Sequence, residues 1–597
     1  MLIFFENHKY NSDQIQPYLT PSLLYNDIPN HKSHTDQIGY IFITNENYSG
    51  PVFILPKSFL ISIDGKDTVL GMKGIYPEDV INCDNEENPL EIAGKGSFLP
   101  ELGLWLYRAL NRFRNEHEGS PISRMAELDS QLPEDGARDK DFLSTAIDLI
   151  DFLKDHRSLF TQISLINHSG RNKIDWAKTV KGDPFFENGE PWYLDPAIKD
   201  KTINIDDTLI VLYYSVLKYL RDKYRFPIEL GEVPYQLLSP IEIQRLIDTG
   251  IGSKQLKRIR HKYFRDDLKH LWGLLDSFFT YNMSEEDKEK KKEHLLVRKF
   301  HVIFEAMIDA LVSDTRGVEE LKNQADGHLV DHIFSFPSLL GAKSDIYFIG
   351  DSKYYKDDKR PEGVALYKQF TYAKNTIQYH IDQLHLKGKT AAQRKESKLR
   401  YRDTLTEGYN ITPNFFIRSR VKENNTEFDQ PAIALCDDWN ESKGQKYPPT
   451  NKHFEDRLFD RDTLILREFS VNLLFVIAAY AGYEDECWTL DIHRTIREAF
   501  ITSIDEEYEF YRIIPHNVLP LAFDQLHTDT LSGRTYMLNE SDDYLIAAFE
   551  NSDQGRKDKE KFRATRLRSY ETGEEITYDF IPTSLRELSE KKTVIFA

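Results

Sequence analysis

The period of apolar positions changes from segment to segment along this chain, and those changes predict its elements. Ile38-Gly39-Tyr40-Ile41-Phe42-Ile43 and Pro51-Val52-Phe53-Ile54-Leu55-Pro56 are short apolar runs split by turn residues from Asn45 to Gly50. A β-rich segment is therefore expected over residues 1–100. Further on the period lengthens. Leu102, Leu106, Leu110 and Phe113, then Leu143, Ile147 and Ile150, recur at the spacing of one helix face, so 101–290 reads as mainly helical. The polar stretch Arg171 to Asp207, with Gly182-Asp183-Pro184 and Glu190-Pro191-Trp192, is expected to be a long connecting loop.

The charged run Ser284 to Glu293 leads into an amphipathic helix expected from Leu295 through Phe304 to Leu311. Strands are expected at Leu329 to Phe334 and Asp345 to Tyr354, then a helix from Gly363 to His385. Phe415 to Arg418 and Thr463 to Leu466 read as further strands, and Val471 to Tyr480 as a buried helix. Helix, strand, strand, helix is the order of an α/β core, placed at 291–510, with a smaller α+β extension at 511–597. The whole reads as a multi-domain α+β chain, since 597 residues exceed one typical domain.

Composition narrows the class. Cys83, Cys436 and Cys487 are too few and too dispersed for a disulfide framework or a zinc site, which points to a reducing, cytoplasmic setting. Met1-Leu2-Ile3-Phe4-Phe5 turns polar at once and does not read as a signal peptide. The longest apolar run, Val471 to Tyr480, has half the roughly 20 residues a bilayer demands, so no membrane partner is expected. The net charge of −20 argues against a passive DNA coat, but the cations are clustered. Lys257, Arg258, Arg260 and Lys262 fall in one run; Arg394, Lys395 and Lys398 fall in another; a third spans Arg556 to Arg568. Each run is either a solvated helix face or a phosphate-contacting surface.

The chemistry concentrates around Asp331 and Asp351-Ser352-Lys353. Hydrolysing a phosphodiester takes an activated water and relief of phosphate charge. Mg²⁺ supplies both when one or two carboxylates hold it, and Mn²⁺ can substitute. Asp331 and Asp351 are the candidate ligands, with the Ser352 backbone carbonyl as a third. Lys353, two residues after Asp351 on an extended strand, shares its face and can position water or offset charge. Glu305, in an apolar helix face, is either a further metal contact or a surface glutamate, and Asp309 is the weaker candidate. Gln369 and Tyr372 share a helix face at i,i+3; Gln369 can reach metal-bound water or phosphate, and Tyr372 is either a neighbour of the site or structural. His332 faces away from Asp331 on a strand and reads as packed or as a supporting donor. Asp64/Lys66 and Glu396/Lys398 repeat the acid-x-Lys spacing without a preceding buried strand, so spacing alone is weak and the order of elements carries the signal.

Residues 295–420 resemble the PD-(D/E)xK nuclease fold of restriction endonucleases. Asp351-Ser352-Lys353-Tyr354-Tyr355 is similar to the Asp-Ala-Lys-Tyr-Tyr motif of McrC-like nucleases and LlaJI-family restriction endonucleases. Gly39-Tyr40-Ile41, Phe53-Ile54-Leu55-Pro56-Lys57 and Phe469-Ser470-Val471-Asn472-Leu473-Leu474-Phe475 resemble other segments of that group. The helical middle and the C-terminal tail lie outside the resemblance, and Val330 stands where the motif's name has proline. The resemblance implies Mg²⁺-dependent cleavage of double-stranded DNA in restriction or phage defence, with a separate AAA+ GTPase or ATPase of the McrB type. This chain is not expected to bind nucleotide itself. Gly388-Lys389-Thr390 imitates the end of a phosphate-binding loop, but Gln383 stands where the first glycine belongs. Two alternatives stay open: a stand-alone site-specific restriction endonuclease, or a nuclease-fold scaffold that regulates an NTPase. Cutting both strands commonly takes two active sites, which leaves room for a homo-oligomer.

Overall fold

The computed structural model describes residues 1–597 except 46–47, 84–87, 132–140, 157–158, 161, 168–172, 205–206, 282–292, 315–317, 319–321, 323–329, 341–344, 357–366, 374, 377–411, 422, 429–432, 436–463, 483–486, 521–522, 524–534, 537–542, 570–571 and 591–597. The chain packs as two compact units, each assembled from non-consecutive segments. One comprises Met1–Leu55, Ile75–Tyr107 and Asp129–Val297; the other comprises Pro56–Gly74, Arg108–Leu128 and Arg298–Ala597. Among the described residues no helix is long and apolar enough to cross a membrane.

In the first unit, β1 (Leu2–Phe5), β2 (Ile38–Thr44), β3 (Ser49–Leu55), β4 (Leu128–Ser130) and β5 (His294–Val297) form a sheet in the order β1-β3-β2-β5-β4. β1 runs parallel to β3 and is buried throughout, which explains its unbroken apolar run. β5 pairs with β2, Leu296 opposite Gly39. Gly39 has φ +139°, and a Cβ there would stand 2.1 Å from the Leu295 carbonyl oxygen, so glycine is what admits β5. This corrects the helix expected from Leu295: Leu295, Leu296 and Val297 are strand, and the helix starts at Phe300. Three consecutive apolar residues satisfy either period, and a partner strand about 250 residues away decides between them.

Helices α1 (Phe98–His117), α2 (Phe142–Asp155), α3 (Thr208–Tyr224), α4 (Pro240–Asp248), α5 (Ile251–Ile259) and α6 (Asp266–Tyr281) match the helical reading of the middle segment. The stretch from Arg171 to Asp207 is not a plain loop. Its described part holds strands Lys173–Ile174 and Ile198–Ile203, which pair in a small sheet, and a hairpin of Phe185–Glu187 with Glu190–Trp192.

The second unit is built on a mixed sheet of β6 (His332–Pro337), β7 (Asp345–Lys353), β8 (Thr412–Arg420), β9 (Ile433–Leu435) and β10 (Leu464–Asn472), ordered β6-β7-β8-β10-β9. β6 is antiparallel to β7, while β7, β8 and β10 are mutually parallel. The first strand lies three residues later than the expected Leu329 to Phe334, because Val330 packs with the core before pairing begins. One sheet face carries an aromatic layer. Phe334 and Phe348, register partners, stack at 4.9 Å, and His493 of α9 (Cys487–Glu507) stacks on Phe334 at 3.8 Å. α7 (Phe300–Val312) and the all-apolar α8 (Leu473–Tyr480) pack with α9 and the strands. A four-stranded antiparallel sheet with the helix Asp553–Ala564 forms the C-terminal part.

Candidate active site

β7 is an interior strand between β6 and β8, and Phe348 through Ser352 are buried in succession. An interior strand covered on both faces reads as a continuous apolar run, so a charged residue at its end is conspicuous. Asp351 is only 3% exposed. Its Oδ2 faces the ammonium group of Lys353, which shares its face of the strand. The position between Ile349 and Asp351 must be glycine: a Cβ on Gly350 would stand 2.3 Å from the Phe415 ring on the opposite face. Ser352 also turns toward that opposite face, and its buried hydroxyl has no hydrogen-bond partner among the described residues.

Asp331 sits at a bend immediately before β6, not on the strand itself. Burial and the neighbouring Asp351 carboxylate push its carboxyl well above the usual range, with Glu305 adding to the effect and Lys353 opposing it. Glu305, half-buried on α7, is pushed up to about 7 by burial, with Lys353 opposing and Asp351 reinforcing the shift. Asp331, Asp351, Glu305 and Lys353 are thus electrostatic neighbours. Asp309 is not part of this group. Lys322 Nζ lies 2.5 Å from its Oδ1, and His332 Nδ1 lies 3.5 Å away. His332 is fully buried and turns toward Asp309, which makes it a packed, supporting residue.

Residues 367–373 and 375–376 are helical. Gln369 is buried, and its Nε2 donates to the Ile349 carbonyl at 3.1 Å, two residues before Asp351. Its Oε1 is buried without a hydrogen-bond partner among the described residues. Tyr372 packs with Val330, Ile333, Ile349 and Ala373. Gln369 and Tyr372 therefore clamp this helix to the two strands that deliver Asp331 and Asp351.

Sequence reasoning passed over three residues here. Lys368, next to Gln369, places its ammonium 5.2 Å over the Tyr372 ring. Against the cost of burial, Tyr372, Asp331 and Asp351 hold its proton more firmly than usual. Arg418 is the register partner of Lys353, and Glu468 that of Phe416. Their side chains pair at 2.9 Å, 6% and 1% exposed, on the sheet face shared by Asp351 and Lys353. A signal existed: Arg418 and Glu468 are charges inside apolar strands, which is costly unless they pair.

The donor set suits a hard divalent cation. Oxygen ligands, a buried Asp351, and crowding that drives Asp331 to keep its proton all describe carboxylates short of positive charge. Fully ionised, the three carboxylates would outnumber the two ammonium groups, and that crowding adds to burial in raising Asp331 and Glu305. Among the described residues, no three His, Cys, Asp or Glu side chains already converge as a metal ligand set. Lys257, Arg258, Arg260 and Lys262 are exposed in the first unit, whereas Arg394, Lys395 and Lys398 lie outside the described residues, as does the Gly388-Lys389-Thr390 segment.

No protein-family model matches this sequence. No curated protein matches it either. Among solved structures, the chain is matched to a half-complex from the tetradecameric assembly of Thermococcus gammatolerans McrB AAA+ hexamers with bound McrC. The TM-score is 0.25 with 9% identity, over 84% of this chain and 99% of the matched one.

Proposed function

We propose that this chain is a Mg²⁺-dependent DNA endonuclease subunit of a restriction or phage-defence system. The observation that carries the reading is the charge arrangement at the end of β7: Asp351 and Lys353 on one strand face, with Asp331, Glu305 and Lys368 in electrostatic reach. Asp331 and Asp351 would hold the cation, with Glu305 supporting it. Bound there, it would supply a more acidic water and relieve charge on the scissile phosphate. Lys353, released from Asp351, would orient that water or offset charge on the phosphorane-like transition state. Lys368 would hold a non-bridging phosphate oxygen. Gln369 would fix the helix that carries Lys368 against β7.

The AAA+ partner enters the proposal through the resemblance of the Asp351-Ser352-Lys353-Tyr354-Tyr355 and N-terminal segments to McrC-like and LlaJI-family proteins. The scaffold reading finds its support in the Asp351–Lys353 ion pair, which satisfies both charges without a metal. One experiment separates these readings. Purified chain is incubated with modified and unmodified phage DNA and Mg²⁺, with and without a candidate NTPase partner and GTP or ATP. Asp351→Ala and Lys353→Ala should abolish cutting while leaving the fold intact. Full activity in both variants overturns the assignment, and absence of cutting under every condition favours the scaffold.

A further inference from the structure

One described patch of exposed cations, Lys254 to Lys262, lies in the first unit on a short helix–turn–helix. α4 ends at Asp248, the two residues Thr249 and Gly250 turn the chain, and α5 begins at Ile251. α5 lies against α6. Its Gly252, Ser253, Leu256 and Ile259 are buried, which leaves Lys254, Lys257 and Arg258 exposed at i, i+3 and i+4 on the opposite face. The helix is held firmly. Ser253 Oγ lies 2.8 Å from Asp276 Oδ1, and the Trp272 indole N–H donates to the Leu256 carbonyl at 2.8 Å. The Arg260 guanidinium stacks 4.9 Å above the same indole ring. Lys262 and Phe264, the latter 81% exposed, continue the surface beyond the helix. Among the described residues, the ion pairs within this run lie at its far end, where Asp267 pairs with Arg265 and Asp266 with Lys269.

We propose that α5 is a DNA-contacting helix that lies along a groove of duplex DNA, with Lys254, Lys257 and Arg258 toward the phosphates and base edges. A helix of nine residues is about 13 Å long and, with its side chains, about 10–12 Å across, which fits a major groove about 12 Å wide. The second helix of a short helix–turn–helix unit is the element that enters that groove in many DNA-binding proteins. In a chain of net charge −20, this patch reverses the prevailing sign over one solvent-facing helix surface, as polyanion binding demands. The inference shares duplex DNA as ligand with the proposed nuclease reading but stands on different residues.

The test uses the full chain carrying Asp351→Asn, so that the probe is not consumed. Anisotropy of a labelled 30-base-pair duplex is measured across a salt series. Lys254→Ala/Lys257→Ala/Arg258→Ala should weaken binding at least tenfold and reduce the slope of log affinity against log salt by about 3. Lys557→Ala/Lys561→Ala, on the exposed helix Asp553–Ala564, should change neither. If the triple variant melts early, Lys257→Gln/Arg258→Gln provides the same reading with a slope change of about 2. An unchanged affinity and slope in a folded patch variant overturns the proposal. So does a chain that binds single-stranded RNA or anionic vesicles through this patch and not the duplex. Cutting by the unsubstituted chain is assayed separately. Patch-dependent binding with no cutting, whether or not a candidate NTPase partner and nucleotide are added, would refute the nuclease and leave this inference standing, and cutting with patch-independent binding would do the reverse.

Discussion

Gly350→Ala places a methyl group against the aromatic layer directly behind Asp351. The new Cβ would stand 2.3 Å from Phe415 Cε2 and 2.5 Å from Cζ, where an ordinary carbon contact is about 3.5–4.0 Å. Either the ring or the strand must therefore retreat by more than about 1 Å. The ring has little room. Phe415 is fully buried, 6.0 Å from the Phe334 ring and 6.0 Å from the Phe469 ring, and both of those are fully buried. Overpacking of this kind costs about 1–3 kcal/mol, or roughly 1–4 °C in the melting of a unit this large. Whatever share the strand absorbs moves Asp351, and if the proposed nuclease reading holds, a displacement near 1 Å costs on the order of 100-fold in rate. Differential scanning fluorimetry and the Mg²⁺ cleavage assay measure the two shares. Phe415→Leu, added to Gly350→Ala, should restore much of both by vacating the ring edge. A Gly350→Ala protein that melts and cuts like the parent would refute the reasoning, as would a double variant no better than the single one.

Other outcomes follow from neighbouring residues. Glu468→Gln removes one member of the buried Arg418–Glu468 pair and should cost about 3–5 kcal/mol, whereas Arg418→Met/Glu468→Leu should lie within about 1 kcal/mol of the parent; urea denaturation of the set checks this. The Asp309 carboxyl is held at about 2, because His332 and Lys322 outweigh the burial that opposes them. A depressed folded-state value means that its stabilisation is present above the ordinary carboxylate value near 3.8 and is lost as pH falls toward 2. Its side chain is 37% exposed, so about 1 kcal/mol is expected after allowance for screening, and Asp309→Asn should flatten the acid limb of a melting-temperature profile by that amount. Mg²⁺ at about 100 times its dissociation constant should stabilise the parent by about 2.7 kcal/mol and leave Asp351→Asn unmoved, as a thermal shift titration would register.

The residues themselves carried a good deal of this. An Asp two positions before a Lys at the end of an apolar run is visible in one dimension, because strand alternation puts i and i+2 on one face wherever the strand lies. β7 and the helices of the middle segment were legible for the same reason: their periods are local. Local pattern was insufficient where partners are distant. Leu295-Leu296-Val297 became strand because Gly39 lets another backbone come close, and Arg171 to Asp207 became paired strands because the Gln162–Asn167 strand lies beside Ile198–Ile203.

Residue type and order alone nominated Asp331, Asp351, Lys353, Glu305 and Gln369, since side-chain chemistry and strand period belong to the chain itself. Tertiary structure decided what surrounds them. It brought the carboxylates near enough to disturb one another, gave Asp309 to Lys322 and His332, and turned Gln369 toward the β7 backbone. It also added Lys368, and set the Arg418–Glu468 pair on the same face. Those relations depend on through-space distance and burial, which set electrostatic strength and which contacts between residues far apart in the chain create.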